Sequence, residues 1–200
     1  MSKFDELAKI WDEAPYRVEN AKKIGQAIVD NIPLNKDWKI LDFGAGTGLL
    51  TFYIQPYVKT IDAVDISKGM LEKLQEKAKS ANINTINPVF KDLEKDDLGD
   101  NEYDAIISSM TLHHIKDVSS FLKKLNKALK EGGYLAIADL EKEDGDFHSD
   151  NEGVYHFGFS KEELEKYYKE AGFKDFKFLI VNKIEKNNKE YPVFLAIGRK

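Results

Sequence analysis

The sequence predicts an α/β fold: a mostly parallel, seven-stranded sheet doubly wound by helices, with an antiparallel C-terminal hairpin and an N-terminal helical cap. Three observations predict it. Short apolar runs alternate with segments of helical periodicity, the pattern of parallel strands joined by crossover helices. The run Tyr103-Asp104-Ala105-Ile106-Ile107-Ser108-Ser109 has a continuous apolar centre, suited to a strand buried on both faces of a parallel sheet. The stretch from Ile40 to Thr51 passes from an apolar run through Gly44, Gly46 and Gly48 into an apolar-periodic segment, which reads as strand, tight turn and helix.

Residues 3–13 place Phe4, Leu7, Ile10 and Trp11 at helical spacing, and Pro15 is expected to interrupt that helix. A second helix is expected from about Arg17 to Asn31, with Val18, Ala21, Ile24, Ile28 and Ile32 on one face and Pro33 closing it. The first strand leads into the glycine turn, after which Leu49–Gln55 reads as a helix ended by Pro56. Residues 58–64 form the second strand, with Asp65 at its carboxyl end. Ser67 is placed to cap a helix whose stripe is Met70, Leu71, Leu74, Ala78 and Ala81.

Residues 85–90 read as the third strand and 103–109 as the fourth. Val118, Phe121, Leu122, Leu125, Ala128 and Leu129 give the cleanest helical stripe, which Gly132 is expected to end as a left-handed cap. Residues 134–139 are the fifth strand. The polar stretch 141–158 has no periodicity of its own, and loops of that length are usually functional or mobile. Ser160 opens a last helix stopped by Gly172, and residues 173–181 and 191–198 form a hairpin around a turn at 185–189. With no internal repeat or linker, residues 1–200 read as one domain, divided into a cap (1–33), a core (38–140), a loop (141–158) and a closing helix and hairpin (159–200).

Thirty Lys and Arg against 35 Asp and Glu leave a net charge of −5, so no nucleic acid is expected as the main partner. A hydrophobic fraction of 42% with 32% charged residues is that of a soluble globular chain. No apolar run approaches the ~18 residues of a membrane span. Met1-Ser2-Lys3-Phe4-Asp5-Glu6 lacks a signal-peptide hydrophobic region, so a cytoplasmic protein without membrane attachment is the expectation. The absence of cysteine removes disulfides, thiolate nucleophiles and cysteine-based zinc sites.

Glycines at 44, 46 and 48, with Leu at 49, fit the dinucleotide fingerprint G-x-G-x-x-G poorly. Glycine there permits positive φ and close approach of a ligand to the backbone, and the amides opening the next helix point into the turn. Asp65 lies 23 residues beyond Asp42 at a strand's carboxyl end, placed to accept both hydroxyls of a ribose.

With Asp42 two residues before Gly44, the segment resembles motif I of the class I S-adenosylmethionine-dependent methyltransferases, a Rossmann-like family. The resemblance covers residues 38–140 and extends to the hairpin. It implies a methyltransferase that uses S-adenosyl-L-methionine, releases S-adenosyl-L-homocysteine and acts on a small-molecule acceptor. It further implies that Gly44, Ala45, Gly46 and Thr47 line the methionine and ribose portion of the cofactor, with Asp42 and Gly48 counted in the same site. Asp65 would take the ribose, Ile66 and Met70 the adenine ring, and Asp92 with Leu93 the adenine edge. Ser108, Ser109 and Met110 would lie beside the methyl group. Trp11-Asp12 and Pro15-Tyr16-Arg17 resemble the cap that closes over the cofactor, which makes Tyr16 and Arg17 contacts. Alternatives stay open: a cap that only packs on the sheet, and Asp92 as a solvated turn residue. The base-amino methyltransferases carry Asn or Asp, two prolines and an aromatic where this chain has Ser108-Ser109-Met110-Thr111, which argues against adenine N6 or cytosine N4 as acceptor.

Methyl transfer from a sulfonium is an in-line displacement whose leaving group the cofactor supplies, so a base is needed only when the acceptor must lose a proton. Histidines are the candidates. His113 and His114 follow the fourth strand, and His148 and His156 belong to the long loop. His113, His148 and His156 are the catalytic candidates, His113 being a cofactor contact as well. Packing roles, or a divalent metal held with Asp139 or Glu141, remain open, although H-x-H and H-E-x-x-H spacings are absent. Two other functions stand beside the leading one: a nicotinamide-dependent oxidoreductase with an irregular fingerprint, and a non-catalytic S-adenosylmethionine-binding protein. The sequence specifies neither the acceptor nor the oligomeric state.

Overall fold

The strands β1 (Lys39–Phe43), β2 (Thr60–Asp65), β3 (Ile86–Phe90), β4 (Tyr103–Ser109), β5 (Leu129–Leu140), β6 (Lys174–Lys186) and β7 (Lys189–Arg199) form one sheet in the order β3-β2-β1-β4-β5-β7-β6. This is a computed structural model, and it describes residues 3–186 and 188–200. β1 to β5 pair in parallel, whereas β7 runs antiparallel to both β5 and β6. The order reverses between β1 and β4, and in open α/β sheets such a switch point leaves a crevice at the carboxyl ends of the strands. The glycine turn after β1 and the Met110–His114 segment after β4 both open onto that crevice end.

Helices α1 (Lys3–Leu7), α2 (Pro15–Asn31), α3 (Leu49–Ile54), α4 (Lys68–Ser80), α5 (Val118–Ala128) and α6 (Lys161–Glu170) complete the fold. Side-chain alternation along the strands divides the core. Ile40, Ala105, Ile107, Ala136 and Ala138 bury against Ile24 and Ile28 of α2 and Leu50 and Ile54 of α3. Leu41, Phe43, Ile106, Leu135 and Ile137 take the other face with α5 and α6. Burial on both faces is why these strands read as continuous apolar runs. Among the described residues, no helix is long and apolar enough to cross a membrane.

Several expectations need correction. Residues 3–13 are not one helix: α1 stops at Leu7, and Trp11–Glu13 form a separate 3-10 turn. Pro15 does not interrupt a helix but opens α2, because at the first helical position its missing N–H costs nothing and its φ is already helical. Gly132 is not the cap of α5. That helix ends at Ala128, Leu129 is already extended, and Gly132 (φ +77°) lies inside β5 where its pairing with β4 is irregular. β5 therefore begins five residues earlier than its apolar run suggests. The hairpin strands also exceed their expected lengths, pairing as far as Lys186 with Lys189. Most of the turn expected at 185–189 is thus taken up by the two strands, and Asn187 lies outside the described residues.

Phe121 on α5 is buried and meets Phe43 of β1 edge to face, with ring centroids 5.2 Å apart. Phe121→Ala is expected to destabilise the protein by about 3–5 kcal/mol through the cavity it leaves. Urea unfolding measures this, and a loss below about 1 kcal/mol would contradict tight packing of α5 on this face.

Candidate active site

The turn after β1 is built on left-handed glycines, Gly44 at φ +65° and Gly46 at φ +56°. A Cβ at Gly44 would collide with the Thr111 side chain, whereas one at Gly46 would meet no protein atom within 4 Å. The Ala45 amide donates to Val64 O at 3.1 Å, fastening the turn to β2. Asp65 then bridges two elements. Its carboxylate accepts the Gly46 amide at 2.8 Å and the Ser67 amide at 2.8 Å, one on each oxygen. Burial raises its pKa, opposed by the amides of Ser67, Gly46 and Ile66, and the charge of Asp5 adds to the rise. Ser67 caps α4 through its hydroxyl, as expected. Asp42 is buried and accepts from Thr51 Oγ1 at 2.6 Å. Burial pushes its pKa up to about 7, partly offset by the Thr51 hydrogen bond and reinforced by Asp65.

The N-terminal segment crosses this turn. Asp12 accepts from Thr47 Oγ1 at 2.5 Å and from Lys77 Nζ at 2.7 Å, and Lys77 also donates to Thr47 O at 2.9 Å. Asp5 accepts from Ser67 Oγ at 2.7 Å and from the Gly69 amide at 3.0 Å. The Arg17 guanidinium stacks 3.8 Å from the Trp11 ring centroid and donates to Trp11 O at 3.2 Å. Asp5, Asp12, Lys77 and Thr111 carry no local signal that singles them out. They acquire a role only through partners far along the chain.

On the other side of Asp65, Ile66 is 61% exposed and Phe90 57% exposed, with Lys68 Nζ 5.1 Å from the Phe90 ring centroid, while Met70 is buried. Leu93 is buried, but the Asp92 carboxylate accepts from Lys95 Nζ at 2.7 Å and the Glu94 amide at 3.1 Å. The Lys95 hydrogen bond holds Asp92 below the usual carboxylate range. Tyr16 sits apart from this group. It lines a depression with Glu19, Lys23 and the β6 residues Asn182 to Glu185.

At the end of β4, Ser108 donates to Phe43 O at 2.8 Å, and Met110 turns the chain away with φ +56°, uncommon for a side chain of its size. The Met110 amide donates to Ala138 O at 2.8 Å, leaving Ser109 half-buried beside it. His113 follows, 2% exposed, with Nδ1 2.8 Å and 3.0 Å from the two oxygens of Asp139, which is fully buried at the end of β5. Asp139 also accepts the backbone amides of His113 and Leu140. Burial alone would raise its pKa, but the His113 charge and these hydrogen bonds outweigh it and hold the carboxylate low.

The His148 ring lies 4.8 Å from His113, and His114 lies 4.1 Å from His113. Nε2 of His113 and Nε2 of His148 are both buried without a hydrogen-bond partner. Burial first, then the charges of His113 and His114, push His148 down to about 4. His156 takes a different place, with Nε2 2.9 Å from Ile115 O and its ring against Phe159. Three of the four histidines thus meet, together with an aspartate that the sequence suggested only as a metal ligand. Among the described residues, no group of three or more His, Cys, Asp or Glu is arranged to hold a metal ion.

Comparison with known proteins bears on this arrangement. Residues 41–137 match the methyltransferase domain family. The chain is 36% identical over 158 residues to an uncharacterized methyltransferase of Schizosaccharomyces pombe, an alignment spanning 69% of this chain and 56% of that relative. The chain spans about half the length of the curated relatives it matches. Among solved structures, the Haemonchus contortus phosphoethanolamine N-methyltransferase 2 in complex with S-adenosyl-L-methionine superposes with a TM-score of 0.75 at 15% identity, covering 100% of this chain and 60% of that one. A SAM dependent methyltransferase from Aquifex aeolicus superposes with a TM-score of 0.66 at 24% identity, covering 88% of each chain. At these identities the two likenesses are of fold.

Asp42 yields a prediction about stability. Its folded pKa of about 7 lies above the ordinary 3.8, so folding favours the protonated form. The stability it contributes is complete below the ordinary value and is lost as pH rises through about 7. Asp42→Asn keeps an acceptor for Thr51 and is expected to be more stable than the native protein at pH 8, by about 1.4 kcal/mol for every tenfold by which folding tightens the hold on that proton. The gain should vanish at pH 4, and a difference that stays constant across guanidinium unfolding at pH 4, 6 and 8 would refute the buried ionisation.

Proposed function

Residues 41–137 belong to the class I S-adenosylmethionine-dependent methyltransferases, and we propose that this chain transfers a methyl group from S-adenosylmethionine to a small-molecule acceptor that first gives up a proton. The observation that carries the reading is the Asp65 carboxylate, fixed at the carboxyl end of β2 by the Gly46 and Ser67 amides beside a turn that is open at Gly46.

The residues fit such a cofactor. The Asp65 oxygens accept the Gly46 and Ser67 amides, one on each, and a carboxylate with about four lone-pair sites keeps acceptor capacity for a ribose hydroxyl. The open side of Gly46 leaves backbone accessible, and the exposed faces of Ile66 and Phe90 offer apolar surface to an adenine ring. Gly44, Ala45 and Thr47 would line the methionine end, and Ser109 and Met110 the methyl end. Asp92 with Leu93 would meet the adenine edge if Lys95 yields the carboxylate. When bound, S-adenosylmethionine supplies both the methyl group and its leaving group. The chain's own work is to orient the acceptor, exclude water and take a proton.

His113 is suited to take it. In the neutral ring an Nδ1–H donated to Asp139 fixes the orientation and places the lone pair on Nε2, as in other carboxylate–imidazole pairs. His148, whose pKa of about 4 keeps it neutral near pH 7, adds a second imidazole beside the first. Around them, Phe4 lies edge-on to His114 at 5.6 Å, Trp11 is edge-on to Phe4 at 6.1 Å, and Phe147 is edge-on to His148 at 4.9 Å. Such aromatic walls favour a small acceptor over a polymer.

Calorimetry with S-adenosylhomocysteine tests the cofactor site. Asp65→Ala is expected to weaken binding by about 1.5–3 kcal/mol, the scale for losing hydrogen bonds to a charged group. Wild-type affinity in a variant whose circular dichroism is unchanged would remove the ribose contact. For the proton step, Asp139→Asn should leave that affinity intact yet slow methylation by about 10²–10⁴-fold. The rate is read as S-adenosylhomocysteine release across a panel of phenols, carboxylates and amines, and an undiminished rate would exclude the His113–Asp139 base.

A further inference from the structure

The hairpin overshoots the sheet. β7 leaves its last partner on β5 at Val193, opposite Leu140, while β6 and β7 continue to pair with each other from Asn182–Val193 to Lys186–Lys189. This overshoot lies at the carboxyl end of β5, the end that carries Asp139. A hairpin with no third strand beneath it needs another surface to pack on, and it packs on the loop that holds His148.

The loop is folded for that contact. Glu143 Oε2 accepts the amides of Gly145 at 2.8 Å, Asp146 at 2.9 Å and Phe147 at 3.2 Å, so one carboxylate oxygen gathers a corner of the chain. Gly145 completes the corner with φ +84°. The corner is then gripped from the hairpin. Asp146 accepts from Tyr191 Oη at 2.8 Å and from Lys189 Nζ, and Phe147 O accepts from Lys186 Nζ. The Phe147 ring is buried 5.1 Å from the Tyr191 ring on one side and 4.9 Å from His148 on the other. Position 148 follows directly from this plug.

We propose that Asp146 and Tyr191 are positioning residues: by clamping the loop corner to the hairpin tip they hold the His148 imidazole against His113, so that the acceptor meets two imidazoles rather than one. The inference rests on the reading of His113 and Asp139 as the proton-taking pair. Neither residue touches the histidines directly. Their effect is transmitted through the Phe147 ring and one peptide unit, and a displacement of about 1 Å at such a site costs as much as a hundredfold in rate.

The groups facing His148 are His113 and His114 from the segment after β4, Asp139 from β5 and Lys186 from β6. Burial and the charges of His113, His114 and Lys186 hold its pKa near 4 against the opposing charge of Asp139. Releasing the loop corner admits water and weakens this push. Four histidines in the chain allow each imidazole to be followed separately by NMR.

The test compares Tyr191→Phe, which removes only the hydroxyl and keeps the ring on Phe147, with Asp146→Asn, which weakens the clamp from the loop side. Expected in both are a His148 titration midpoint that rises by about 1 or more on the pH scale toward the ordinary histidine value, unchanged S-adenosylhomocysteine affinity, and a methylation rate lower by about tenfold or more. An unmoved His148 titration in both variants overturns the proposal, even if Asp139→Asn has confirmed the proton-taking pair. A moved titration with an unchanged rate overturns the functional half, leaving the clamp as architecture alone. Should Asp139→Asn have no effect on rate while the His148 titration still moves, the underlying functional reading fails and the mechanical link stands.

Discussion

The bridge made by the Asp65 carboxylate between the Gly46 and Ser67 amides is the constraint on which the site depends. It ties the glycine turn after β1 to the start of α4, and so sets the spacing of the two edges between which a cofactor would lie. The carboxylate is costly to bury, as its raised pKa records, and two amides offset part of that cost while fixing both oxygens. The position is reached because β1 and β2 pair in register, Phe43 opposite Val64, and because Ala45 donates back to Val64. A slip of one residue would turn Asp65 to the other face of the sheet.

Two parts of the chain outside the sheet, the N-terminal segment and the loop after β5, are fastened beside this edge. The N-terminal segment is fastened by Asp5 to the start of α4 and by Asp12 to Thr47 and Lys77. The loop over 141–158 is fastened to the hairpin tip by Asp146 and Phe147. They meet at His114, whose ring takes the edge of Phe4 while its Nδ1 donates to Gly153 O at 2.7 Å. Each fastening is polar and partly exposed, whereas the sheet beneath is held by apolar burial on both faces. Segments held by such fastenings belong to the less stable end of a fold.

The histidine cluster follows the same logic of paired costs. Asp139 is buried outright and stays ionised because His113 and three hydrogen bonds receive its charge. His148 is half-buried next to two other imidazoles and has no carboxylate of its own, so it resists protonation. One ring is oriented by a buried carboxylate and the other is kept neutral by burial and its neighbours, a difference that arises from environment alone.

Local chemistry in the sequence was enough for the strands, the helix stripes, the Ser67 and Ser160 caps and the glycine turn, because periodicity and capping act within one or two turns of chain. It reached Asp65 through its place at a strand end, and it related the histidines as a strand-end pair and a loop pair without showing which of them meet. It misjudged Pro15 and Gly132, where a residue that can end a helix instead opens one or bends a strand, a choice made by what packs next to it. It named Asp12 only as part of a cap and Asp139 only as a metal ligand beside the histidines, and it missed Lys77 and the hydrogen bonds Asp12–Thr47, Asp12–Lys77 and His113–Asp139, which span 35, 65 and 26 positions. Which of those distant residues meet is decided by strand order and by the overshoot of the hairpin. Hydrogen bonds of a few ångströms carry no trace in a linear pattern until the sheet has brought their ends together.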